Sequence, residues 1–166
     1  MKIGLLSDTH GYLDPKLFEI FNDVDEIWHA GDIGTIQTAD QLSALKYLRA
    51  VYGNIDGTDI RQKFPKYQIF KCEKITVLMT HIGGKPGKYE QGIKRMLVND
   101  SPGLFICGHS HILKIMYDKT YDMMYMNPGA AGQTGLHHVK TVVKFSIKDS
   151  DIFGLEVIEL GKRLKK

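Results

Sequence analysis

The chain has 166 residues, 43% hydrophobic and 25% charged, which suits a single soluble globular domain over 1–166 with a substantial core. The net charge of +3 is a terminal matter. Lys162, Arg163, Lys165 and Lys166 lie in the last five residues, and without them the body stands at −1, so no stable nucleic-acid binding is expected. No run approaches the roughly 18 apolar residues of a membrane span, the apolar start MKIGLL is too short for a signal peptide, and Cys72 and Cys107 read as reduced, buried thiols. These features predict a cytoplasmic protein with no membrane association.

In chain order, KIGLL (Lys2–Leu6) predicts a short buried strand ending at Ser7-Asp8. Asp14 then Pro15 predicts an N-cap followed by the first helical position, with Leu17, Phe18 and Phe21 as the apolar face. EIWHA (Glu26–Ala30) predicts a second strand, ending at Gly31-Asp32. Thr38 and Gln41 predict a capping box for a helix carrying Leu42, Leu45 and Leu48. RAVY (Arg49–Tyr52) predicts a third strand, ending at Gly53-Asn54. This βαβαβ order implies a parallel sheet with right-handed crossovers.

The second half is richer in strands. YQIFK and ITVLMT form a predicted pair with Lys71–Lys74 as the turn, and Tyr89–Val98 predicts a helix with Ile93, Met96 and Leu97 inward. LFIC (Leu104–Cys107) is a buried strand, followed by four antiparallel candidates: ILKIMYD, MMYMN, TVVKFSI and DIFGLEVIEL. Two packed sheets with helices outside account for this order.

The residues that follow these strands carry the chemistry. Asp8 and His10 follow the first, Asp32 the second and Asn54 the third; His81 follows ITVLMT, and His109 and His111 follow LFIC. The carboxyl ends of strands in α/β sheets face one crevice, so these donors can converge. His109 and His111 stand at i and i+2 beside Gly108, which lets the backbone approach closely. Imidazole, carboxylate and carboxamide without thiolate suit Mn, Ni, Zn, Fe or Mg rather than a structural zinc–thiolate site, with Mn the first choice. Seven donors exceed one tetrahedral ion and suit two divalent ions about 3.5–4 Å apart. Such a pair turns a bridging water into a hydroxide nucleophile and clamps the oxygens of a phosphoryl displacement.

DTH at 8–10, GD at 31–32, GN at 53–54, His81 and GHSH at 108–111 resemble the block signature of the calcineurin-like metallophosphoesterases. The chain length and NPGAAG at 127–132 resemble that superfamily's small bacterial single-domain phosphodiesterase branch. The resemblance implies a four-layer αββα sandwich: two packed mixed β-sheets flanked by helices. It also implies that Asp8, His10 and His111 hold one ion, that Asn54, His81 and His109 hold the other, and that Asp32 bridges them. Asp32, Asn54 and His81 are then the metal-held catalytic residues. The expected activity is hydrolysis of a small or nucleotide-like phosphodiester.

The sequence departs from the pattern at Ile55, where the family carries a His that serves the leaving-group oxygen. Asp56 then has no imidazole to orient and reads as a turn-stabilising carboxylate. His81 is followed by IGG rather than the family's GH, and Lys85 and Lys88 lie in a glycine-rich loop where they are candidates to touch a substrate phosphate. His29 reads as a buried supporting histidine, and His137 or His138 as a candidate for the space beside the site. Two alternatives stand beside the diesterase. One is a non-catalytic scaffold like the retromer subunit, which resembles this family and lacks the catalytic His; the other is a phosphomonoesterase. Exposed strand edges are compatible with a homodimer.

Overall fold

The computed structural model describes residues 1–163. Its strands are β1 (Lys2–Leu6), β2 (Glu26–His29), β3 (Tyr47–Ala50), β4 (Tyr67–Cys72), β5 (Ile75–Thr80), β6 (Gly84–Lys85), β7 (Lys88–Tyr89), β8 (Leu104–Ile106), β9 (Leu113–Asp118), β10 (Met123–Pro128), β11 (Val139–Lys148) and β12 (Asp151–Lys162). The helices are α1 (Lys16–Ile20), α2 (Ile36–Leu45), α3 (Thr58–Lys63) and α4 (Gln91–Asp100).

One sheet has the order β12-β11-β1-β2-β3 and the other β4-β5-β8-β10-β9. β1, β2 and β3 run parallel, as do β5, β8 and β10, while the outer strands pair antiparallel. The core lies between the sheets, where Ile3, Leu5 and Trp28 meet Val77, Met79 and Ile106. Trp28 is fully buried and meets Phe70 and Phe145 edge-on, at 5.1 and 5.8 Å between ring centroids. Each such contact contributes about 0.5–1.5 kcal/mol beyond area burial. Leu17, Phe21 and Leu42 of the α1–α2 side cover the outer face of the first sheet, and Ile93 and Leu97 of α4 cover that of the second. The αββα sandwich is therefore present.

Several element ends differ from the sequence expectation. Pro15 is the N-cap of α1 rather than its first residue, although Asp14 Oδ1 still accepts from the Lys16 N–H at 3.2 Å. Phe18 is exposed and not on the buried face. The cap of α2 is Thr35, whose Oγ1 accepts the Thr38 N–H at 3.2 Å, so Thr38 is inside the helix and Gln41 closes no box. Leu48 belongs to β3, which begins two residues earlier than expected, at Tyr47. Tyr89 belongs to the β6–β7 hairpin rather than to α4, and the glycine-rich loop is therefore a paired element.

Helix α3 was not expected. Its only buried residue is Ile60, so it shows no apolar periodicity. Its legible signal is electrostatic: Asp59 lies in the first turn and Arg61 and Lys63 in the last, which complements the helix dipole. The basic terminal segment is in part structural. Lys162 ends β12, and the Arg163 guanidinium donates to the His137 carbonyl at 2.9 Å. Lys165 and Lys166 lie outside the described residues. Among the described residues no helix is long and apolar enough to cross a membrane, and Cys72 and Cys107 are buried free thiols.

Candidate metal centre

Parallel strands bring their carboxyl ends to one edge of each sheet, and both edges meet at the same place. Asp8 and His10 leave β1, Asp32 leaves β2 and Asn54 leaves β3. His81 leaves β5, and His109 and His111 leave β8. Nine non-glycine residues among those described take positive φ, and Asp8, His10, Asp32, His109 and His111 are among them. That conformation costs about 1–3 kcal/mol each and persists only where surrounding structure enforces it.

The enforcement is visible in backbone bonds that tie one turn to the next. The Asp8 N–H donates to Gly31 O and the His10 N–H to Asp32 O, both at 3.0 Å. The Gly108 N–H donates to His81 O, and the Gly132 N–H to Asp8 O, again at 3.0 Å. Two glycines allow the close approach this requires. A Cβ on Gly53 would strike the Asp32 carboxylate, and one on Gly108 would strike the Ser7 hydroxyl.

Side chains then converge in two groups, Asp8 with His10 and His111, and Asp32 with His81 and His109. Within each, one ligand atom per residue lies within 4.8 Å of the others. Asp8 Oδ1 is 3.1 Å from His111 Nε2 and 3.9 Å from His81 Nε2, so it faces both groups. Asp32 Oδ2 does the same, 3.2 Å from His81 Nε2 and 3.9 Å from His10 Nε2. His10 Nε2 and His111 Nε2 approach to 3.5 Å. Asn54 and Ile55 are exposed at the rim, and Asn54 shares a cleft wall with His81.

Charge is concentrated here. Burial acts to lower the His81 proton affinity, but Asp32 and Asp8 outweigh it and hold the imidazole above its ordinary value. Burial acts to raise Asp32, yet His81 and the Ile55 N–H hold it below the usual carboxylate range. Asp8 Oδ1 and His81 Nε2 are buried and in no well-formed hydrogen bond. Buried carboxylate and imidazole atoms left without a well-formed hydrogen bond and aimed at common space fit divalent cations, whose binding would displace any proton on the imidazole.

The supporting residues came mostly from tertiary structure. His81 Nδ1 donates to Ala30 O at 2.8 Å, which turns Nε2 toward the centre. Asp56 does brace the turns, and across the chain as well as locally. Its carboxylate accepts from the Gly53, Ile33 and Gly34 N–H groups at 2.8, 3.2 and 2.7 Å, joining the Asn54 and Asp32 turns. Arg61, which sequence reasoning missed, donates to the carbonyls of Asp56 and Asn54 at 2.6 and 3.1 Å. Asn127, also missed as a brace, donates to Gly108 O at 2.8 Å and accepts from the Gly129 N–H at 3.0 Å.

His29 is buried as expected. Its Nδ1 accepts the Gly31 N–H at 3.1 Å, so Nε2 carries the proton and faces Thr9 Oγ1 at 2.9 Å. Of the other pair, His137 reaches the site, with its ring 5.3 Å from that of His111, while His138 stays exposed.

The calcineurin-like phosphoesterase superfamily domain matches residues 1–150. The chain belongs to this superfamily. A probable metallophosphoesterase of Methanocaldococcus jannaschii is 30% identical over 156 residues, covering 90% of this chain and 77% of the relative. A phosphodiesterase of the same organism is 30% identical over 145 residues, covering 78% of this chain and 83% of that one. In structure, Vps29 of Chaetomium thermophilum matches with a TM-score of 0.75 at 14% identity, covering 98% of this chain and 99% of that one. Vps29 of Entamoeba histolytica complexed with zinc matches with a TM-score of 0.73 at 18% identity, covering 97% of this chain and 100% of the other. At those identities the likeness is one of fold. Superfamily membership makes this chain a metallophosphoesterase, and members use divalent metals.

Proposed function

We propose that the protein is a divalent-metal-dependent phosphodiesterase acting on a small or nucleotide-like diester. The observation that carries this reading is the pair of buried, unpartnered ligand atoms, Asp8 Oδ1 and His81 Nε2, 3.9 Å apart between two three-residue groups. Asp8, His10 and His111 would hold one ion, and His81 and His109 with the Asn54 carboxamide the other. Asp32 would face both. When bound, two divalent ions supply an acidified water as nucleophile and neutralise charge on the phosphoryl oxygens. Mn²⁺ is the first choice, with Ni, Zn, Fe or Mg as alternatives.

The chain's own residues do the rest. Ala30 O holds His81 in one tautomer, and Asp56 and Arg61 hold the turn that carries Asn54. Ile55 presents an alkyl group where a proton donor would assist departure. Diesters with good leaving groups therefore suit this site better than monoesters or alkyl diesters. That one relative is named a phosphodiesterase supports a diester substrate.

The test is hydrolysis of an aryl phosphodiester by the Mn²⁺-loaded protein, before and after chelation, beside Asp32→Asn. Activity lost on chelation and reduced about 10²-fold or more in the variant is expected; equal activity in Asp32→Asn overturns the reading. Ile55 also favours a second reading, a scaffold on the same fold. Hydrolysis by protein shown to hold Mn²⁺ separates the two, because a scaffold would leave the aryl diester uncleaved even with the metal bound. A third reading, the phosphomonoesterase, predicts monoester rates above diester rates on one preparation.

A further inference from the structure

Two clefts border the ligand residues. One, of about 420 Å³, starts at Asn54 and His81 and runs past Tyr52, Tyr67 and Arg61. The other, of about 570 Å³, starts at His109 and is walled by Lys85, Lys88 and Lys114. Glu90 lies on both. The second cleft is thus lined by three lysines and one glutamate, on a protein whose charge outside the basic terminal segment sums to −1 with these residues counted. None of these three lysines is in an ion pair among the described residues, as is true of other surface lysines such as Lys16 and Lys94.

Two of the three are placed by a built hairpin. Lys85-Pro86-Gly87-Lys88 is a tight turn with Gly87 at φ +82°, and Pro-Gly is the pair that a type II turn favours. Lys85 and Lys88 are direct partners across the β6–β7 ladder. Like charges directly opposite in such a ladder repel, and residues so paired share a face. The hairpin base is anchored: the Tyr125 hydroxyl donates to Gly84 O at 3.0 Å and the Glu90 N–H to Gly83 O at 3.3 Å. A multiply charged anion between the two lysines removes their repulsion, and Lys114 faces the same cleft from β9.

We infer that the cleft beside His109 binds a second anionic group of the substrate. The preferred diesters then carry a phosphomonoester group besides the phosphate that is hydrolysed. This rests on the diesterase reading and adds the substrate class to it. The phosphomonoester dianion has the charge to meet three ammonium groups, and charge-assisted hydrogen bonds are the stronger kind.

Two substrates with one leaving group test this: the p-nitrophenyl ester of a nucleoside 5′-phosphate, and the same ester carrying a further phosphate on its 3′ oxygen. With Mn²⁺-loaded protein at low salt, the phosphate-bearing ester should show about tenfold or higher kcat/KM, carried by KM. That ratio should fall as ionic strength rises. It should drop toward one in the Lys85→Ala, Lys88→Ala, Lys114→Ala variant and be reduced in Lys85→Glu alone. A ratio near one in the unaltered protein, or an unchanged ratio in the variants, overturns the inference. If neither ester is cleaved, the diesterase reading fails, and calorimetry with the nucleoside 3′,5′-bisphosphate then judges the cleft. Binding about tenfold weaker in the triple variant upholds it; equal affinity removes it.

Discussion

The backbone N–H of Ile55 donates to Asp32 Oδ1 at 3.1 Å, while the residue is 47% exposed beside the ligand groups. Position 55 therefore keeps a backbone bond to the Asp32 carboxylate and presents an alkyl side chain, where the proposed function would have an acid assist the leaving group. Restoring that acid is a local change in an open place. Ile55→His should raise the rate on alkyl diesters by about 10²-fold or more, within the range of a positioned general acid, and change aryl diesters much less. Rates on an alkyl and an aryl diester from one preparation check it. No gain on either would mean the missing acid is not what limits the site.

Asp56 is 3% exposed and accepts three backbone N–H groups from two turns. Asp56→Ala leaves those donors buried without partners, at about 1–3 kcal/mol for each left unmet. Urea unfolding should show a total loss of about 3 kcal/mol or more. Calorimetry on the folded fraction should show metal affinity weaker by about 10–100-fold, the usual effect of removing a group that orients ligands. Unchanged metal affinity would show that Asp56 serves the fold alone.

Burial pushes His29 down to about 4, against the neighbouring carboxylates. The folded state therefore disfavours the imidazolium relative to the unfolded chain, where His titrates near about 6.5. The stability this neutral histidine contributes is complete above that value and is lost as the pH falls from about 6.5 toward 4. The expected slope is up to about 1.4 kcal/mol per pH unit for this one proton. Unfolding midpoints across that window should flatten in His29→Gln. An identical slope in the variant would assign the effect to other groups.

Lys140 Nζ and Asp14 Oδ2 form a buried ion pair at 2.6 Å, 126 positions apart, tying β11 to the segment before α1. Burial acts to raise Asp14, but Lys140 and the Lys16 N–H hold it below the usual carboxylate range. The pair's contribution is present at neutral pH and lost as the pH falls through the lowered value. Asp14→Ala, which leaves the ammonium buried and unpaired, should cost about 3–5 kcal/mol. Asp14→Leu with Lys140→Met should cost far less, since buried pairs are often replaced by apolar groups at little loss. Thermal unfolding of the three proteins checks both.

Much of the centre was legible in the sequence. Each metal-ligand candidate follows a strand whose apolar run is visible in one dimension, and parallel strands carry their ends to one edge. Asp8, His10, Asp32, Asn54, His81, His109 and His111 could therefore be named in order. The element ends were less legible, because capping depends on which hydroxyl reaches which N–H. Thr35 and Thr38 are both plausible caps, and only the backbone conformation chose Thr35. Helix α3 had no apolar stripe to show.

The sequence by itself determined the fold class and named the candidate donors, because burial periodicity and residue chemistry are local properties. The partners across the chain were decided by the tertiary structure alone. His10 and His111 stand 101 positions apart. Asp56 looked like a one-turn carboxylate and proved to join two turns. Lys85 and Lys88 looked like loop residues until the ladder set them face to face and Lys114 joined their cleft. Polar residues satisfy their bonding wherever packing brings a partner, and packing is not written in any short stretch of chain.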